Sequence, residues 1–279
     1  MARGPRGRPQ CRDGGCALLA ALVATGARIQ FGAASGVAPW MGGAPPPPPP
    51  SPLWPWSAPQ RITFPKDFYA VNVRDYGAKG DGATDDWLAL QRAINATAFF
   101  QTVYIPAGRY LISRPLYRYG GKGGADPKVE HFFLTGESVT TTTIELKAGA
   151  SGYQNASQPL HMLHVGAGVA QNFFNIVENV AFDAGTGNPG AVGVRFDANN
   201  MGALRNVSIA GPPDAAIGLD MGYSDQIGPC LVKFVSITGF RVGIQTAFNV
   251  DSITFDTLHI DSPTEAGIVN VGQVISVRG

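Results

Sequence analysis

The sequence has little charge, few cysteines and no excess of basic residues. Only 15% of its 279 residues are charged, and 21 Lys and Arg nearly balance 20 Asp and Glu. Without a basic excess or a basic stripe, the chain is not expected to bind nucleic acid. Two of the three cysteines, Cys11 and Cys16, lie near the N-terminus. Cys230 is therefore expected to be a buried thiol without an internal disulfide partner.

Long apolar runs are also scarce. The run at residues 16–24 follows four arginines and precedes small residues, which is the order of a secretory signal peptide. It is too short to cross a membrane comfortably. Residues 1–30 are therefore predicted to be a signal-like segment that directs the protein to the extracellular space or the secretory pathway, with no membrane association after its removal. An organellar transit peptide is the alternative, since the segment is rich in arginine and poor in acids.

A proline-rich linker is predicted at residues 31–60. Consecutive prolines fill positions 45–50, with Trp40, Trp54 and Trp56 nearby. Such a run favours a stiff polyproline II spacer without internal hydrogen bonds. A ligand for a proline-binding module and a cell-wall contact are the alternative interpretations. The folded domain is predicted to span residues 61–279.

Glycine, by contrast, is abundant, and part of it recurs at a fixed interval. Gly193, Gly218, Gly243 and Gly267 each open a short apolar segment, at intervals of 25, 25 and 24 residues. A period in the twenties is typical of a solenoid. Apolar residues alternate within each segment, which indicates strands. The sequence therefore predicts an all-β fold, a single-stranded right-handed parallel β-helix, rather than a solenoid of helical repeats.

Stacked repeats bury side chains that a single repeat could not bury alone. Strands about 4.8 Å apart pair their backbones and bring equivalent side chains into columns. Asn206 is predicted to stack inward on Asn179 at a turn. One predicted inward column contains Val194, Leu219, Ile244 and Ile268, and the other contains Val180, Val207, Val235 and Leu258.

An N-terminal capping helix is predicted after a glycine-rich turn. Residues 75–86 read as the end of a strand, a turn and a helix start, with Thr84 as the N-cap. Asp81, Asp85 and Asp86 are expected to hold the turn and the start of the helix rather than to catalyse a reaction. The glycines lack the Lys-Ser/Thr pair of a phosphate-binding loop. The helix would cover the exposed apolar end of the solenoid.

These residues also carry a family resemblance. Residues 75–86 and 105–108, with the segments 188–196 and 198–209, resemble the rhamnogalacturonase/epimerase-like domain of the pectate-lyase superfamily. The opening of that domain is shared with the N-terminal β-helix of family 55 glycoside hydrolases. The resemblance covers about residues 68–279 and implies a right-handed parallel β-helix that is usually secreted and usually acts on polysaccharide. It does not supply an activity by itself.

Four residues are the candidates for catalysis: Asp183, Arg195, Asp197 and Asp220. Strand alternation places them on the outer face, and neighbouring repeats would bring Arg195 close to Asp220. Hydrolysis of a glycosidic bond needs two carboxyl groups. A lyase needs a base, with acids that hold a cation or the sugar carboxylate. An exposed Arg–Asp ladder that only decorates a solvated surface is the alternative.

Known motifs do not decide between these interpretations. The repeats lack the Asn-Thr-Asp, Gly-His-Gly and Arg-x-Lys blocks of polygalacturonases. The four histidines have no spacing typical of metal ligands, and neither a cofactor nor a metal is predicted.

Two functions remain open. The first is a secreted polysaccharide-active enzyme of the lyase or glycoside-hydrolase type, or the N-terminal part of a two-domain glucanase-like enzyme. The second is a non-catalytic glycan-binding, adhesive or structural β-helix. Polysaccharide is the expected partner, and oligomerisation through the C-terminal edge is a further expectation. Asn155, in a glycine-rich loop, is the expected glycosylation site.

Overall fold

The repeats form parallel strands that coil into a β-helix. The computed structural model describes residues 69–98, 100–118, 131–166, 172–222, 227–246 and 252–279. Within these ranges, no helix has the length and apolar character needed to cross a membrane. The signal-like segment, the proline-rich linker and residues 61–68 of the predicted domain lie outside them, so those predictions stay predictions.

Short strands dominate the described part of the chain. In chain order the elements are β1 Ala70–Asn72, a 3-10 helix Val73–Tyr76, β2 Asp81–Asp85, α1 Trp87–Ala96, β3 Thr102–Ile105, β4 Gly108–Ile112, β5 Leu116–Arg118, β6 Phe133–Gly136, β7 Thr142–Leu146, β8 Leu160–Val165, β9 Ile176–Asp183, β10 Ala191–Phe196, β11 Gly202–Ala210, β12 Ile217–Met221, β13 Cys230–Thr238, β14 Val242–Thr246, β15 Ser252–Asp261, β16 Ala266–Asn270 and β17 Val274–Arg278.

The strands form two parallel sheets. Sheet A has the order β1-β3-β6-β9-β11-β13-β15-β17, with β2, β4 and β7 joined beside this path. Sheet B has the order β5-β8-β10-β12-β14-β16. From β8 onwards the chain alternates between the two sheets, so one strand in each makes one turn of the solenoid. The predicted parallel β-helix is confirmed.

The predicted inward columns are also confirmed. In sheet B, Leu219 is aligned with Val194 on one side and with Ile244 on the other. The first three members of each column are buried and the fourth is partly buried. Ile268 continues the sheet B column. The sheet A column runs without a break through Val180, Val207, Val235 and Leu258.

Each long strand of sheet A bends at one residue with a left-handed backbone. Asn179, Asn206, Phe234 and Thr257 have φ angles of 57°, 51°, 54° and 56°. Asn tolerates this conformation better than most residues. The Nδ2 of Asn206 donates a hydrogen bond of 2.7 Å to the Oδ1 of Asn179. The prediction that Asn206 stacks on Asn179 at a turn is therefore confirmed.

The predicted N-cap of the helix is wrong. Helix α1 begins at Trp87 with Asp86 in the N-cap position, whereas Thr84 lies in β2, which pairs with β4. The reason is local, because the Asp81 carboxylate accepts hydrogen bonds of 2.8 Å from both the N–H and the hydroxyl of Thr84. The Asp86 carboxylate accepts from two backbone N–H groups of the glycine-rich turn. These acids hold the turn, as expected for structural residues.

Helix α1 covers the end of sheet B. Leu90, Ala93 and Ile94 are its buried side chains. The Gln91 amide accepts a hydrogen bond of 2.9 Å from the N–H of Tyr117 and donates one of 3.0 Å to its carbonyl. Tyr117 lies in β5, the terminal strand of the sheet, so the amide satisfies backbone groups that another strand would otherwise pair. The predicted capping role is confirmed.

Cys230 is a free, buried cysteine in β13. Burial raises the pKa of its thiol to about 12, which disfavours the reactive thiolate. The prediction of a buried, unreactive thiol agrees with this environment.

Strands β16 and β17 are the last described strands of their sheets. Val274 and Val277, in β17, are each more than half exposed. Oligomerisation through this edge stays a prediction.

Replacing Leu219 with Ala should lower the free energy of unfolding by about 2–5 kcal/mol, because the change opens a cavity in a filled column. Chemical denaturation measures the effect. Val277→Ala is the matched control and should change the midpoint little, since Val277 is largely exposed. Equal losses in the two variants would contradict the column as a main source of stability.

Expression in a secretory host should place sugar on Asn155 and leave Asn206 unmodified. Asn155 is exposed, and its Oδ1 accepts a local hydrogen bond of 3.0 Å from the N–H of Ser157. The Nδ2 of Asn206, the atom that glycosylation modifies, is engaged with Asn179. Glycopeptide mass spectrometry measures both sites, and sugar on Asn206 would mean that this bend is not formed as described.

Candidate functional site

Three of the four predicted site residues lie together on sheet B. Arg195 in β10 is aligned with Asp220 in β12 on one side and with His164 in β8 on the other. Gln245 in β14 continues the row. The fixed spacing of the repeats therefore placed Arg195 next to Asp220 as expected, since residues one coil apart stack in a solenoid.

The alternative of an exposed Arg–Asp ladder does not hold for Arg195 and Asp197. Arg195 is only 2% exposed and Asp197 is fully buried. The Nη2 of Arg195 and the Oδ2 of Asp197 lie 3.0 Å apart in a buried ion pair. Strand alternation assigns a residue to a face of the sheet, but it does not reveal which other segments cover that face.

Two segments outside the strands lie against Asp197. The Nδ2 of Asn175 donates a hydrogen bond of 3.2 Å to the Asp197 carbonyl. Gly166, with φ of 95°, packs so closely that any side chain there would collide with the Cβ of Asp197. These contacts come from the chain after β8 and before β9, and they remove Asp197 from solvent.

His161 and Asp220 form the more accessible part of the site. The Nε2 of His161 and the Oδ2 of Asp220 lie 2.9 Å apart, with 15% and 10% of their side chains exposed. The Oδ1 of Asp220 accepts a hydrogen bond of 2.8 Å from the N–H of Gly222. Both carboxylate oxygens are therefore fixed, and one of them orients the imidazole. His161 is aligned with Val192, so its contact with Asp220 crosses strand β10.

A second histidine, His164, lies beside this pair. The ring centroids of His161 and His164 are 5.5 Å apart. Burial, together with the nearby Arg195 and His161, lowers the pKa of His164 to about 3. His164 is therefore neutral at ordinary pH. Within the described ranges, no group of three or more His, Cys, Asp and Glu side chains is arranged to hold a metal ion.

Asp183 lies in sheet A, apart from the row that holds the other three candidates. It ends β9, where its Oδ2 accepts a hydrogen bond of 3.2 Å from the Nη2 of Arg109. Arg109 also forms an ion pair with Glu145. The structure therefore does not bring Asp183 together with Arg195, Asp197 and Asp220.

Sequence reasoning missed the two histidines of sheet B. Residues three positions apart in a regular strand point to opposite faces, so His161 and His164 did not suggest a shared site. Extending the repeat to the coil before Gly193 could have found them, because aligning that coil with the next one sets His164 opposite Arg195.

The comparisons with known proteins agree with this fold. The profile of the family described as Rhamnogalacturonase A/epimerase, pectate lyase-like matches residues 70–275. The chain belongs to this family. The match includes every residue of the candidate site and confirms the resemblance carried by the sequence motifs.

Individual relatives match shorter parts. Alginate lyase 7 of Azotobacter vinelandii is 40% identical over 83 residues, which are 28% of this chain and 9% of that protein. A glucan 1,3-beta-glucosidase of Cochliobolus carbonum is 45% identical over 60 residues, 17% of this chain and 8% of that protein. The catalytic unit of a GH87 alpha-1,3-glucanase from Streptomyces thermodiastaticus superposes with a TM-score of 0.49 and 19% identity, over 78% of this chain and 41% of that one. The chain thus matches less than a tenth of the length of these two curated relatives.

Acid should destabilise the folded protein through His164. Its pKa in the folded protein, about 3, lies below the ordinary value of 6.5. Below about pH 6.5 the unfolded chain binds a proton that the folded protein does not bind. The free energy of unfolding should therefore fall as the pH drops from about 6.5 towards about 3, and His164→Gln should reduce this fall.

Denaturant unfolding at about pH 7 and about pH 4.5 measures this dependence on both sides of the relevant range. His259→Gln is the matched control, because His259 is exposed in β15, and it should keep the wild-type pH dependence. An NMR signal of His164 that titrates near the ordinary histidine value in the folded protein would contradict the interpretation.

Proposed function

We propose that the protein modifies a polysaccharide by removing a proton from a sugar, with His161 as the base and Asp220 as the group that orients it. The observation that carries this proposal is the 2.9 Å contact between the two side chains, both of which keep some exposure on sheet B. An imidazole held by a carboxylate is a common general base in enzymes.

The arrangement supports proton transfer better than hydrolysis. Hydrolysis of a glycosidic bond uses two carboxyl groups that both face the sugar. Asp197 is fully buried and paired with Arg195, so Asp220 is the one accessible carboxylate of this group. Proton removal needs a single accessible base, and His161 provides it.

The hydrogen bonds define which atom of His161 takes the proton. An ionised Asp220 accepts the Nε2–H of His161, which leaves the lone pair on Nδ1. In an elimination, the proton next to the sugar carboxyl group moves to Nδ1, the electron pair of the broken C–H bond forms a carbon–carbon double bond, and the glycosidic oxygen leaves with a proton from water. In an epimerisation, the electron pair of the broken C–H bond is held by the sugar carboxyl group as an enolate. Water then gives the carbon a proton on its opposite face, and Nδ1 returns its proton to the resulting hydroxide.

We assign Arg195 and Asp197 a positioning role. Their buried ion pair lies at the end of β10, beside Asp220 in the adjacent strand. Removing one member of a buried pair leaves an uncompensated charge, so the loss of either residue should disturb the strand end beside Asp220. Asp183 has no part in this proposal, because it lies on sheet A.

A uronic acid polymer is the substrate class that fits this reaction. A carboxyl group acidifies the neighbouring C–H bond, which a neutral sugar does not offer. Two matched relatives are named alginate lyase 7 and mannuronan C5-epimerase AlgE3. We further propose that the polymer is met outside the cell after secretion through residues 1–30.

A non-catalytic glycan-binding or structural role is the second candidate. The specific observation in its favour is the burial of Arg195 and Asp197 together with the small exposed fraction of His161 and Asp220. A site of this kind could serve only to fix the strands of sheet B.

Incubating the full chain with alginate and with polygalacturonate tests the enzyme proposal. A lyase produces an unsaturated sugar that absorbs ultraviolet light, and an epimerase run in deuterated water introduces deuterium that NMR detects. His161→Gln should lower turnover by about 10²- to 10⁴-fold, which is the range for loss of a general base. Asp220→Asn should lower kcat with little change in KM, because it affects the orientation of the base.

His259→Gln is the control for His161→Gln, since His259 lies in sheet A and is exposed. It should keep wild-type turnover. Full turnover in His161→Gln would show that His161 is not the base. Cleavage of a neutral β-1,3-glucan without any reaction on the uronic acid polymers would replace proton abstraction by hydrolysis, and polymer binding without turnover would favour the second candidate.

A further inference from the structure

A column of bulky residues lies at the corner where the chain enters sheet A. Phe100, His131, Phe174 and Met201 share one register position, two residues before the aligned residues Thr102, Phe133, Ile176 and Ala203. We call these four residues the exposed column. They occupy successive turns of the solenoid, just before β3, β6, β9 and β11.

The exposed column presents apolar surface to solvent. Phe100 is 58% exposed, Phe174 is 36% exposed and Met201 is 75% exposed. His131 lies between the two phenylalanines, with its ring centroid 4.9 Å from Phe100 and 5.0 Å from Phe174. A continuous apolar strip of this kind on a protein surface commonly marks a binding site.

The backbone at these positions is unusual for such side chains. The φ angles are 64° at Phe100, 56° at His131, 58° at Phe174 and 77° at Met201. Gly and Asn occupy this left-handed region readily, whereas bulky residues seldom do. The bend in the long strands of sheet A contains Asn179 and Asn206, but also Phe234 and Thr257. Residues in this region cluster at ligand-binding and active sites, so the backbone is consistent with a binding role and does not establish it alone.

The exposed column adjoins the candidate site through a short chain of contacts. The N–H of Phe174 donates a hydrogen bond of 3.2 Å to the carbonyl of Asn199. The next residue, Asn175, donates through its Nδ2 to the carbonyl of Asp197, the ion-pair partner of Arg195. The backbone of the exposed column is therefore linked through buried contacts to the Arg195–Asp197 pair of the candidate site.

We propose that the exposed column is a binding platform for the sugar rings of a polysaccharide chain. The C–H faces of pyranose rings are apolar and stack on aromatic rings, and the column contains no carboxylate that would repel an acidic polymer. Its side chains repeat at the interval of the strands, which suits a ligand that also repeats along its length. The proposal deepens the proposed function and rests on it only for the polymer class.

Phe100→Asn with Phe174→Asn is the decisive variant. Asn fits the left-handed backbone, so the double variant should fold at least as well as the wild type. Native gels containing alginate, polygalacturonate or laminarin measure binding by the full chain through its retardation. At least one polymer should retard the wild type, and each lost ring should weaken binding about 2- to 10-fold.

Phe234→Asn is the matched control. It makes the same change at a left-handed position in sheet A, in the bend that contains Asn179 and Asn206, and should leave retardation unchanged. Equal retardation of the wild type and the double variant would overturn the proposal, as would a wild type that none of the three polymers retards. If the wild type sediments as a dimer, the double variant as a monomer, and neither binds polymer, the column serves self-association instead.

The same measurements separate this proposal from the proposed function. Retardation is compared between the wild type and the double variant, whereas turnover is compared between the wild type and His161→Gln. Retardation that depends on the two phenylalanines, without any turnover by the wild type, would support the platform and reject the enzyme.

Discussion

The stacking of parallel strands in fixed register is the constraint on which the rest of this structure depends. Val194, Leu219 and Ile244 share one buried column because each holds the same register position in its strand. The backbone ladders enforce the same alignment. Every outward residue is then placed by its neighbours in the core, so the row of His164, Arg195, Asp220 and Gln245 follows from the packing beneath it.

Burial changes the chemistry that this row can perform. A surface Arg–Asp pair contributes little, whereas the Arg195–Asp197 pair is shielded from water, so losing either member would leave an uncompensated buried charge. His161 and Asp220 keep partial contact with solvent. Of the four charged candidates, Arg195 and Asp197 thus form a buried pair, Asp220 pairs with His161, and Asp183 lies in the other sheet.

Different side chains occupy the left-handed backbone positions at the bends of the solenoid. Asn206 and Asn179 accept the left-handed conformation and hydrogen-bond to each other, so that bend is satisfied within the fold. Phe100 and Phe174 adopt the same conformation with large exposed rings. Their apolar surface therefore stays in contact with solvent, where a ligand can reach it. Equal backbone geometry therefore serves a structural purpose at one corner and, in our proposal, a binding purpose at the other.

The sequence by itself determined the repeat, the inward columns and the alignment of Arg195 with Asp220, because all three follow from aligning the repeated segments and from strand alternation. It also indicated the capping helix, although the hydrogen bonds of Asp81 moved the helix start beyond Thr84. Only the tertiary structure decided that Arg195 and Asp197 are buried and that His161 reaches Asp220 across β10. The covering contacts of Gly166 and Asn175 come from segments between strands, whose paths carry no period, and Asp183 separated from the others because its strand belongs to the second sheet.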